Sequence, residues 1–93
     1  MNAQEFTHEE AIAVIEDIQN YLKKQAIMAA FRMNQQAAEG DVNRNHVNYG
    51  SMAQALAVLS HLGHFTENNT WGDGDMLICE RVIVDDKVIY TKH

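Results

Sequence analysis

From Thr7 to Glu39 no glycine or proline interrupts the chain, and apolar residues recur at Ala11, Ile15, Ile18, Leu22, Ala26, Ala29, Met33 and Ala37. The intervals of 4, 3, 4, 4, 3, 4 and 4 trace one helical face. Thr7-His8-Glu9-Glu10 reads as a capping box, with Phe6 and Ala11 spaced as a hydrophobic staple. Glu9, Glu10, Glu16 and Asp17 precede Lys23, Lys24 and Arg32, the order that the helix dipole favours. Gly40 is placed to end the helix in a left-handed turn. The spacing therefore predicts one helix over about 8–39, roughly 48 Å long. A compact chain of this size has a radius of gyration of about 12–13 Å. Such a helix must overhang its own body, kink, or be covered by another molecule.

Residues 40–50 are polar and Asn-rich with two glycines, and read as a loop. Ser51 and Gln54 repeat the capping-box spacing, and Met52, Ala55, Leu56, Leu59 and Leu62 predict a second helix over about 51–62. Gly63 suits a left-handed stop, with Phe65 turning back. No Asp, Glu, Lys or Arg occurs from Gly50 to Thr66, which predicts a helix wrapped on most sides. Trp71 to Asp75 reads as a turn-rich loop. Strands are expected over about 76–84 and 87–91, joined at Asp85-Asp86, with 65–69 as a third strand. That hairpin would pair Ile83 with Val88, Val82 with Ile89 and Arg81 with Tyr90. The expected fold is a single α+β domain over 1–93: a long helix, a second apolar helix and a small antiparallel sheet.

Chemistry-bearing motifs are sparse. The lone Cys79 lies in an apolar run, the setting of a small hydrophobe rather than a nucleophile, and suits a reducing compartment. His61 and His64 stand three apart, but no further ligand motif accompanies them, so no metal is expected. Gly72-Asp73-Gly74-Asp75 supplies too few acids at the wrong spacing for a calcium loop. No catalytic grouping and no phosphate-cradling loop is visible, so neither an enzyme nor a cofactor is expected. With no basic leader before an apolar run and no stretch of membrane-spanning length, the expected location is the cytoplasm.

These exclusions leave a small acidic, non-enzymatic protein-interaction module, an inhibitor, adaptor or regulator acting on a protein partner. Trp71, Asp73 and Asp75 are its candidate partner contacts, since Trp is enriched at binding hot spots. The long apolar face predicts a homodimer through Leu22, Ala26, Ala29, Ala30, Phe31 and Met33. Helix, loop, helix, Leu-Gly and hairpin also resemble a winged helix, the second reading being a DNA-binding regulator. In that reading 51–62 would be the recognition helix, yet it carries no Lys or Arg for phosphates. The net charge of −6 likewise speaks against nucleic acid. A DNA-mimicking inhibitor would need its acids in two phosphate-like rows, which sequence does not display.

Overall fold

The computed structural model describes residues 7–93, Asp73 by its backbone alone. Two helices, α1 (His8–Glu39) and α2 (Val42–His61), precede three strands, β1 (Thr66–Asp73), β2 (Met76–Val84) and β3 (Lys87–Thr91). This is the α+β arrangement that the periodicity predicts. Thr7 caps α1: its hydroxyl accepts from the Glu10 N–H at 3.1 Å and donates to the Glu10 carboxylate at 3.2 Å. Phe6, and with it the staple, lies outside the described residues. Gly40 ends α1 at φ 78°. Its N–H reaches the Ala37 carbonyl and the Asp41 N–H reaches Gln36, a paired C-terminal cap.

The second helix corrects the sequence reading. No loop fills 40–50; α2 begins at Val42, with the Asp41 carboxylate accepting from the Arg44 N–H at 3.1 Å. Ser51, expected to cap, sits in mid-helix and donates to the Val47 carbonyl. Asn43, Asn45 and Asn48 look like loop residues, but each costs a helix only some tenths of a kcal/mol relative to Ala. Tertiary contact outweighs that cost. Asn45 is fully buried and donates to the Met33 and Leu77 carbonyls at 2.9 and 2.8 Å.

The sheet runs β1-β2-β3, antiparallel throughout. Trp71-Gly72-Asp73 is not loop but the end of β1, and only Gly74 and Asp75 turn the chain. Cys79, Val82 and Val84 are buried against Ala26, Ala29, Ala30 and Met33 of α1 and Met52, Ala55, Leu56 and Leu59 of α2. Strict alternation would put Cys79 and Val82 on opposite faces. A bulge resolves this: Asn69 pairs with Arg81 and Thr70 with Cys79, leaving Glu80 as the extra residue. A second bulge shifts the expected β2–β3 register. Ile83 pairs with Val88, but Val82 pairs with Tyr90 and Arg81 with Thr91. Ile89 is the extra residue, so Ile89 and Tyr90 both pack on the core. Asp85 and Asp86 make the tight turn at φ 52° and 65°, the left-handed pair that a two-residue hairpin needs.

β3 ends before it covers all of β2. In the two-residue β1–β2 hairpin, Asp73 and Met76 close the turn, so the Leu77 and Cys79 backbones face away from β1. Two side chains replace the missing strand. Asn45 Oδ1 accepts from the Leu77 N–H at 3.1 Å while its amide donates to the Leu77 carbonyl. Asn34 does the same for Cys79, accepting from its N–H and donating to its carbonyl, both at 2.8 Å. The same Asn34 amide also donates to the Tyr90 hydroxyl at 2.6 Å.

Candidate interaction surfaces

The chain measures 54 × 32 × 20 Å with a radius of gyration of 15.9 Å, against about 12 Å for a compact body of this length. The excess is α1. At 1.5 Å per residue its 32 residues span roughly 48 Å, and the 20 of α2 span roughly 30 Å. All the buried residues of α1 lie between Ala26 and Met33. Ahead of them Ile12, Val14, Ile15 and Ile18 are 42–47% exposed, and Tyr21 is 59% exposed. The apolar face of the first half of α1 therefore continues past its own core into solvent.

That face runs into a shallow groove of about 470 Å³ between the helices. Tyr21, Leu22 and Gln25 form one wall; Val47, Gly50, Ser51, Gln54 and Val58 form much of the other. None of the residues lining it is charged. The charge-free run after Gly50 was expected to mean a wrapped helix. Instead Ser51, Gln54, Ala57, Ser60 and His61 are exposed, so this stretch is neutral surface. Its lack of charge was the signal for the groove in the sequence, obscured because the first turns of α2 read as loop.

The expected self-association residues divide. Ala26, Ala29, Ala30 and Met33 are at most 5% exposed and belong to the chain's own core, where α2 and the sheet occupy them. They cannot form a surface between copies. Leu22 is half-buried on the groove wall, and Phe31 is 59% exposed on another side of α1. Helical periodicity finds an apolar face but not which stretch of it the chain itself covers.

The candidate partner contacts lie at the β1–β2 turn. Trp71 pairs with Ile78 and is 48% exposed. The side chain of Asp73 lies outside the described residues. Asp75 is exposed in the turn, and its carbonyl lies 2.8 Å from His46 Nε2, tying the hairpin to α2. Trp71 and Asp75 thus occupy one end of the sheet, and neither lines the inter-helix groove.

Among the described residues, no three His, Cys, Asp or Glu side chains gather as a metal-ligand set. His64 Nδ1 is engaged with Asp85 Oδ2 at 2.6 Å. Cys79 is buried, and burial pushes its thiol pKa up, against hydrogen bonds with the Thr70 side chain and the Arg81 backbone that lower it. A raised thiol disfavours the nucleophilic thiolate. No helix of the described residues is long and apolar enough to cross a membrane. No protein-family model, no curated protein and no solved structure gives a significant match to the chain.

Proposed function

We propose that this chain is a small non-enzymatic protein-interaction module that self-associates as a two-fold dimer, with the overhang of each α1 laid against the partner's inter-helix groove. The observation that carries this reading is the continuity of uncharged surface from Ile12, Val14, Ile15 and Ile18 into the groove at Tyr21. A two-fold arrangement buries the same strip on both copies and closes the assembly. Charge favours the antiparallel pairing of the two α1 helices. It brings Glu9 and Glu10 of one copy level with Lys23 and Lys24 of the other, whereas a parallel pairing stacks like charges.

Sedimentation at micromolar concentration tests the reading, the expected species being a dimer. Ile18→Glu should give a monomer with unchanged helicity, because Ile18 lies outside the core and Glu is a good helix former. Gln54→Lys, on the opposite wall, should weaken the dimer independently. A wild-type monomer, or a dimer indifferent to both substitutions, overturns it.

A further inference from the structure

On another side, α1 borders the edge strand β3, and between them lies a cleft of about 550 Å³ floored by Ile27, Met28, Phe31, Ile89 and Tyr90. It continues past the end of β3 along Asn34 and Ala38 to Met76 and Ile78 on β2. Its charged side chains are Arg32 and Lys92, with the His93 imidazole beside them; among the described residues lining it, none is Asp or Glu. Glu80 stands close enough to Tyr90 to influence its phenol but does not line the cleft. In a chain with 13 acids and 7 Lys plus Arg, a cleft lined by two cationic side chains and no acidic one runs against composition.

Among the described residues, the backbone beside it is also unspent. β3 is the last strand of the sheet. Lys87 pairs with Val84 across the two-residue turn and faces β2, so the N–H and carbonyl of Val88 point away from the sheet. The free stretch of β2 is closed by Asn34 and Asn45, whereas among the described residues no such side chain is bonded to Val88. An open strand edge beside an apolar helix flank is the geometry that accepts an added strand.

We infer that this cleft binds an extended peptide carrying both apolar and carboxylate side chains, added as a fourth strand beside β3. Main-chain bonds to β3 supply affinity. Inward apolar side chains rest on Met28 and Phe31, and carboxylates meet Arg32 and Lys92. This site is separate from the proposed dimer surface and does not depend on it.

The test uses the whole chain and an acetylated peptide with valines at its centre and glutamates at both ends. Binding is followed by fluorescence anisotropy, and hydrogen exchange of the Val88 amide is measured alongside. The glutamate peptide should bind and slow exchange at Val88. Affinity should fall on the order of tenfold for Arg32→Glu, for the same peptide with lysines at its ends, and for one with prolines at its centre. Arg32 is exposed, so the fold should survive its substitution. Ile18→Glu should bind the peptide as wild type does, separating this site from self-association. Four results overturn the inference: no binding, equal binding of the lysine peptide, binding without protection of Val88, or binding of dodecanoate with no binding of the peptide. The last would make the cleft a site for amphipathic anions.

Discussion

The side-chain amide of Asn45 holds both backbone groups of Leu77, donating to its carbonyl at 2.8 Å and accepting from its N–H at 3.1 Å. Asn34 grips Cys79 in the same way from the other helix. An asparagine amide presents a donor and an acceptor side by side, as a peptide group does. The two helices thereby finish the edge of β2 where β3 stops, and an exposed edge that would invite another strand is sealed. Burial of a polar residue in this small core is thus explained by a backbone that otherwise has no partner.

Replacing Asn45 should be among the most damaging single changes. Asn45→Ala leaves the Leu77 N–H and carbonyl without a partner, each at about 1–3 kcal/mol when buried, and removes the side-chain bond to the Met33 carbonyl. A loss on the order of 3 kcal/mol is expected in chemical denaturation. Hydrogen exchange should accelerate at Leu77 in Asn45→Ala and at Cys79 in Asn34→Ala. Protection unchanged at both amides would show that the side chains do not substitute for a strand.

The start of α2 gives a paired test. Asp41→Ala removes the carboxylate that accepts from the Arg44 N–H and should cost about 0.5–2 kcal/mol. Ser51→Ala removes only a hydroxyl bonded to the Val47 carbonyl in mid-helix and should be neutral or slightly stabilising. The opposite ranking of denaturation midpoints would return the helix start to Ser51.

Acid should loosen the corner where β1 begins. The Asp85 carboxylate accepts from the Phe65 N–H at 3.1 Å and meets His64 Nδ1 at 2.6 Å. The His64 hydrogen bond, followed by that of Phe65, holds its pKa below the ordinary carboxylate value. A depressed pKa means that ionised Asp85 contributes stability above the unfolded carboxyl pKa, and that this is lost as pH falls through the lower folded value. Asp85→Asn should flatten the stability profile in that acidic window. An identical acid limb in wild type and variant would remove Asp85 as its source.

Duplex DNA should not bind measurably at physiological salt. The exposed stretch of α2 after Gly50 carries no Lys or Arg, and net charge is −6. A salt titration against random duplex is the check; sub-micromolar affinity with a steep salt slope would favour a DNA-binding regulator.

Several elements were legible because the signal and the structure share a local cause. The α1 stripe, the Thr7 cap and the Gly40 stop depend on residues within a few positions of one another, and the structure places them as read. The Asp85-Asp86 turn is local too. Errors began where distant residues decide. The Asn-rich stretch reads as loop until Asn45 meets Leu77, 32 positions away. Ile83 and Val88 pair as the turn dictates, but beyond them the core draws Ile89 and Tyr90 inward together and the register slips by one residue.

Sequence by itself determined that the chain forms a long unbroken helix, a second apolar helix and an antiparallel hairpin, because periodicity, caps and turn residues act over a few positions. Only the tertiary structure decided which part of the α1 face is core and which is surface. Ala29 and Ile15 lie on the same stripe, yet Ala29 is 5% exposed and Ile15 is 47% exposed. The difference lies in what packs against each residue, and α2 and the sheet reach one end of the helix and not the other.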